Sequence, residues 1–264
     1  MPEPKKNRED YLSVNDTENF TEEFSDEHKF YDPTPKNLSE HLEEIRNRLI
    51  IVSLILSIIF FLSFSYSEFL IKLLEKQAPN GSSFFQLKPG ELLFSSFKIA
   101  AFTSLIFSSP VISLQLFSFL KPGLKQNEYK IIKIISYSVP VLLFSGVLFA
   151  YYCILPPLLS FLLGFNSEVI ESRYGIEHFI NLCISILMIS GVCFQIPVLI
   201  ITLAACKLIT VKQLLAAWRY VTVLAFTGAA LLTPTPDPFT MSILALAILG
   251  LYFGTALSIS LFKL

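Results

Sequence analysis

Residues 179–206 read FINLCISILMISGVCFQIPVLIITLAAC, and none of these 28 positions carries a charge. Wound as an α-helix at 1.5 Å per residue, the run is about 42 Å long, more than the ~30 Å hydrocarbon core of a bilayer. Its apolar residues do not alternate with polar ones, as the strands of a membrane barrel require. In lipid every backbone N–H and C=O must be satisfied inside the segment, which leaves the helix. Five further charge-free runs flank it: Leu49 to Ser67, Ile99 to Leu120, Ile134 to Ser167, Tyr220 to Pro236 and Pro238 to Phe262. The expected fold class is therefore all-α, a polytopic membrane protein with six transmembrane helices at about 39–66, 91–119, 128–156, 177–205, 211–232 and 238–262. The third run is interrupted by Pro156-Pro157, which is expected to end its helix. The fifth holds about thirteen clean residues between Tyr220 and Leu232, short of a full crossing. The run Thr233-Pro234-Thr235-Pro236-Asp237-Pro238 predicts a tight hairpin, and Asn37 with Glu40 predicts a capping box at the first helix.

The formal net charge of −1 conceals two opposite halves. Residues 1–36 hold ten acids and five Lys/Arg, a sum of −5; the remainder holds fifteen Lys/Arg and eleven acids, a sum of +4. The first segment lacks apolar periodicity and is rich in Asp, Glu, Asn and Ser, the composition of a disordered tail. The expected organisation is an acidic N-terminal tail over 1–36 and a membrane domain over 37–264. The tail has neither the apolar stretch of a signal peptide nor the acid-poor composition of a transit peptide, so synthesis in the compartment whose membrane it enters is expected. With the N-terminus inside, ten Lys/Arg fall on the inner side and four (Lys72, Lys76, Lys88, Arg173) on the outer, so an N-in, C-in orientation is expected. The outer stretches Tyr66 to Glu91 and Pro157 to Glu177 are too long for tight turns and read as ordered caps.

Chemistry at a catalytic centre finds no support. The three histidines are scattered, no nucleotide or hydrolase motif occurs, and no span holds a pair of acids. The four cysteines lie in or beside apolar runs without metal spacing and read as small buried hydrophobes. Neither a cofactor nor a metal is expected, and no nucleic-acid partner. Charge gathers instead just before the first span, in His41-Leu42-Glu43-Glu44-Ile45-Arg46-Asn47-Arg48-Leu49. Glu40, Glu44 and Arg48 share one helical face, and intrahelical ion pairing alone accounts for that spacing. A second cluster lies in Phe119-Leu120-Lys121-Pro122-Gly123-Leu124-Lys125-Gln126-Asn127-Glu128, where Glu128 is the one acid, flanked by Lys121 and Lys125 before it and Lys130 and Lys133 after it. Glu128 either pairs with a neighbouring lysine or joins Glu44 in holding a cation through charge-assisted hydrogen bonds. Within the spans, Lys98 is expected to snorkel outward. Gln195 suits either interhelical packing or a functional contact. Asp237 suits a cap for the last helix.

These stretches resemble the TatC family, receptor subunits of the twin-arginine protein translocase. His41 to Leu49 matches the HLxELRxRL opening of that family. Ser109-Pro110-Val111, Phe119 with Pro122-Gly123-Leu124 and Glu128, Phe194-Gln195-Ile196-Pro197, Trp218-Arg219-Tyr220, and Leu232-Thr233-Pro234 with Asp237-Pro238 follow in the family's order, covering residues 37 to 264. Phe85-Gln86-Leu87-Lys88-Pro89-Gly90-Glu91 and Leu249-Gly250-Leu251-Tyr252-Phe253-Gly254 resemble its cyanobacterial and plastid branch. Two departures are Gln126-Asn127, which thin out an arginine-rich loop, and Gln195, where many bacterial members carry Glu.

The resemblance implies a concave, glove-like bundle with shortened fifth and sixth helices. It implies a receptor without enzymatic activity that binds twin-arginine signal peptides of folded cargo, drawing indirectly on the proton-motive force. The implied contacts are Glu44 and Glu128 for the arginine pair, with Arg46 and Phe119 beside them. Arg48, Pro110, Pro122, Gln195 and Asp237 are implied as supporting or partner contacts. Single-span TatA- and TatB-type proteins, self-association and the lipid bilayer are the implied partners, and a plastid thylakoid or cyanobacterial membrane the implied location. A small-solute transporter would call for internal repeats and midplane charge, neither of which the sequence offers.

Overall fold

The computed structural model describes residues 38–79, 84–86, 88–120, 126–164, 174–205, 208–233 and 237–262. The tail, Asn37 of the capping box, Pro122 and the centre of the Thr233–Pro238 hairpin lie outside them. The chain divides into two units, residues 1–44 and 45–264, and of the first only the opening of one helix is described.

The elements in chain order are α1 (Leu38–Ser65), α2 (Ser67–Glu75), β1 (Phe84–Phe85), α3 (Glu91–Leu120) and α4 (Gln126–Phe149). A π-turn (Ala150–Ile154), α5 (Leu155–Gly164), β2 (Tyr174–Gly175), α6 (Ile176–Cys193) and α7 (Ile196–Ala205) follow. The chain then forms α8 (Val211–Ala216), α9 (Trp218–Leu232) and α10 (Pro238–Phe262). Five stretches are long and apolar enough to cross a membrane: Leu42–Ser65, Glu91–Phe119, Ile132–Leu162, Ile176–Ala205 and Pro238–Ser260. The fifth expected span, 211–232, is two helices joined at Ala217, α8 with six residues and α9 with fifteen. At 1.5 Å per residue α9 reaches only about 22 Å, so among the described residues the count of full-length spans is five.

Pro156-Pro157 do not end the third span, contrary to expectation. The π-turn precedes them, with the Leu155 N–H reaching back to the Ala150 carbonyl. A widened turn accommodates prolines whose rings would clash with a carbonyl one turn back, and helix continues to Gly164. The same segment supplies part of the core: Ile154, Leu155, Leu158 and Leu159 are fully buried, in one cluster with Ile180 and Cys183 of α6. Cys153, expected to be buried, is exposed.

Helices α3, α4 and α6 pack on one another, α10 meets α7, and α9 rests on α10. In lipid such contacts depend on small residues and hydrogen bonds more than on apolar burial. Gly146 of α4 meets α6 so closely that a Cβ there would lie 2.8 Å from the Phe194 side chain. Ser190 of α6 donates its hydroxyl to the Gly146 carbonyl at 2.9 Å. Ser136 of α4 likewise donates to the Ser113 carbonyl of α3 at 2.9 Å. Helix α1 touches α3 through Phe60 and Phe64, whose rings lie 6.1 and 4.8 Å from that of Phe97.

At one end of the bundle the described residues between Tyr66 and Glu91 include a helix and a short strand, in the stretch expected to be an ordered cap. Helix α2 buries Ile71 and Leu74 and keeps an exposed Glu68–Lys72 pair at 2.8 Å. The hydrogen bond from Lys72 holds the Glu68 carboxyl below its ordinary range. The Tyr151 hydroxyl donates to the Leu73 carbonyl at 2.9 Å, and the Phe84 and Phe179 rings stand 4.3 Å apart. Strands β1 and β2 pair in parallel. Lys98 does not snorkel alone; its ammonium meets Glu177 of α6 at 2.7 Å.

Candidate functional site

At the opposite end lie the opening of α1, the end of α3 and the start of α4. On α1, Glu44 and Arg48 are half-buried while Arg46 and Asn47 are exposed. The Arg48 guanidinium donates to Gln115 Oε1 of α3 at 3.0 Å. A charge-assisted bond of this kind helps to set the register of the two helices. Phe119 lies one turn beyond Gln115 on α3 and is half-buried, so Arg48, Gln115 and Phe119 belong to one neighbourhood. Helix α3 ends at Leu120 and α4 begins at Gln126, which places Glu128 in the first turn of α4. The side chain of Glu128, and Pro122, are outside the described residues. Gln115 escaped the sequence analysis. Its signal was present, since it is the one amide in the charge-free run Ile99 to Leu120.

Beside this end, α3, α4, α6 and α7 enclose an open apolar groove of about 460 Å³, lined among others by Ser109, Leu116, Ile132, Val139 and Leu199. Pro110, within α3, has no N–H for the carbonyl of Ile106, a groove-lining residue. Gln195 occupies the two-residue turn between α6 and α7, and its amide donates to the Val139 carbonyl of α4 at 3.3 Å. The interhelical role weighed for Gln195 is therefore present.

Asp237 stands apart, at the start of α10. It is buried, and its carboxylate accepts the Thr240 N–H at 2.7 Å and the Thr240 hydroxyl. The expected cap is thus formed, about 37 Å of helix away from the other end of α10. Among the described residues no group of three or more His, Cys, Asp or Glu is placed to hold a metal.

The profile described as Sec-independent protein translocase protein (TatC) matches residues 40–246. The chain belongs to the TatC family. It is 36% identical to the uncharacterised TatC-like protein ycf43 of Gracilaria tenuistipitata var. liui, over 83% of this chain and 92% of that protein. It is 34% identical to the Sec-independent protein translocase protein TatC of Synechocystis, over 84% and 87%. The chloroplastic TATC of Oryza sativa subsp. japonica is 35% identical over 87% of this chain and 65% of that one. The crystal structure of a twin-arginine translocase receptor, TatC in DDM, superposes with a TM-score of 0.70 at 28% identity, covering 82% of this chain and 98% of that one. This TatC-family chain is thus a multi-pass membrane component of a Sec-independent protein translocase, of the kind found in plastids and cyanobacteria.

Proposed function

We propose that the chain is the signal-peptide receptor of its translocase. It recognises the paired arginines of cargo signal peptides through Glu44 and Glu128, with Arg46 orienting Glu44 and Phe119 offering an apolar contact. The observation that carries this reading is the likeness to the solved twin-arginine translocase receptor, spanning 98% of that chain. The chemistry suits it: two carboxylates hold two guanidinium groups by bidentate bonds that lysine cannot make. The apolar groove beside Pro110 and Gln195 offers a place for the apolar stretch of the same peptide. The receptor works without chemistry of its own, lies N-in and C-in in a thylakoid or cyanobacterial membrane, and passes cargo to single-span TatA- and TatB-type partners. Its short α9 completes a six-helix bundle, Arg48 and Pro122 support the fold around the acids, and Asp237 caps α10 at the other end.

The test is crosslinking of a twin-arginine peptide, with a photoreactive group beside the arginine pair, to the reconstituted protein. Glu44→Ala and Glu128→Ala should each cut crosslinking by about ten-fold or more, as loss of a charge-assisted bond does. A Lys-Lys peptide should fail on the wild type. Equal crosslinking in both variants removes the two-carboxylate site, and no binding by a folded sample removes the receptor reading.

A further inference from the structure

At the cap end, β1 and β2 tie together the connections that lead into α3 and α6, pairing Phe84 with Tyr174 and Phe85 with Gly175. Just downstream, the two helix starts enclose a cavity of about 350 Å³ lined by Lys88, Pro89, Glu91, Phe94, Lys98 and Glu177. That volume lies within the range of small-ligand pockets. Its walls are held in place. Gly90, at φ +86°, turns the chain into α3 in a conformation that side chains disfavour. Glu91 is only 4% exposed, and its carboxylate accepts the Lys88 N–H at 3.2 Å. Lys98 spends one of its three ammonium hydrogens on Glu177, across the two helices.

Two lysines and two glutamates therefore line one cavity together with Phe94, and the Lys98–Glu177 pair closes one side of it. The lining has no net charge, yet it presents donors and acceptors together. Glu91 and Glu177 stand in the first turns of two membrane-spanning helices, which puts the cavity at a membrane surface. Leu92, Leu93 and Phe97 are exposed next to it, as lipid-facing residues are.

We infer that this cavity binds the sugar headgroup of an uncharged glycolipid. An anionic headgroup would meet two carboxylates, and a cationic one two ammonium groups. Sugar hydroxyls donate to the carboxylates, accept from the lysines and bring no charge of their own. The apolar face of the sugar ring lies on Phe94, and the acyl chains run over Leu93 and Phe97.

Native mass spectrometry of the purified full chain, titrated with galactosyl diacylglycerol, phosphatidylethanolamine and phosphatidylglycerol of equal acyl chains, tests this. The glycolipid should bind about ten-fold more tightly than either phospholipid, the scale set by one or two hydrogen bonds to charged groups. Lys98→Met combined with Glu177→Gln removes both charges together, leaves neither stranded, and should abolish that preference. Phe94→Leu keeps an apolar wall without the ring and should weaken glycolipid binding alone; it decides the matter if the double variant does not fold. Equal binding of the three lipids, or unchanged binding in the folded variants, overturns the site. Methyl β-galactoside binding as tightly as the glycolipid overturns the lipid as its source. None of these outcomes depends on twin-arginine recognition at the other end of the bundle.

Discussion

Gly146→Ala probes the tightest contact made by any described glycine. The new Cβ would sit 2.8 Å from Cβ and Cγ of Phe194 and 2.9 Å from the Ser190 carbonyl oxygen. Ordinary contact begins near 3.4 Å, so α4 and α6 must part by about 0.6 Å. Overpacking of this kind costs ~1–3 kcal/mol. Separation also stretches the 2.9 Å bond from Ser190 to the Gly146 carbonyl, worth ~1 kcal/mol. Against this, alanine in place of a mid-helix glycine returns ~1 kcal/mol of backbone entropy. The net expectation is a loss of ~1–3 kcal/mol, felt first at Phe194 and the adjoining Gln195. Thermal denaturation in detergent checks it against two internal references. Gly191→Ala meets side-chain methyls at 3.3 and 3.4 Å and a backbone oxygen at an ordinary 3.9 Å, and should lose less; Gly250→Ala meets nothing within 4 Å and should be neutral or stabilised. If Gly146→Ala melts with Gly250→Ala, close backbone approach is not what joins α4 to α6.

Arg48→Met should loosen α1 from α3 by ~1–2 kcal/mol, and Gln115→Leu on top of it should add little, because both remove one bond; a double-mutant cycle on detergent stability reads the coupling. Asp237→Ala should cost ~1–2 kcal/mol by uncapping α10 and leaving the buried Thr240 hydroxyl short of a partner, with Asp237→Asn much milder. Gln195→Leu should weaken the tie between the α6–α7 turn and α4 by ~1 kcal/mol, visible as faster amide hydrogen exchange around Val139.

The long helices were legible because absence of charge over twenty or more residues has one structural solution in lipid. The span read at 91–119 is α3 to within a residue, and that at 238–262 is α10. The short reach of α9 was legible from the same count. Where the reading failed, partners were distant or a backbone detail intervened. Lys98 looked like a solitary cation because Glu177 lies 79 residues away, and only the folded bundle brings them to 2.7 Å. Pro156-Pro157 looked like a stop because a π-turn has no residue pattern that announces it. Gln115 was overlooked although an amide in an apolar run deserves a partner, and Arg48 is that partner. Family motifs, rather than periodicity, singled out Glu44 and Glu128 from other acids near the membrane, since surface ion pairs explain such residues equally well.

The π-turn at Ala150–Ile154 also acts as a phase shifter. One added residue within a turn rotates everything beyond it by about 100° relative to everything before it. Before the turn, Ile134, Tyr137, Val141 and Leu148 look outward; after it, Leu155, Leu158 and Leu159 are sealed inside. One apolar stripe thus faces outward along one length of the rod and inward along the next. Deleting a single residue there would swing the sealed leucines toward lipid, whereas exchanging one apolar residue for another would leave the phase intact. In this stretch the number of residues is under tighter constraint than their identity.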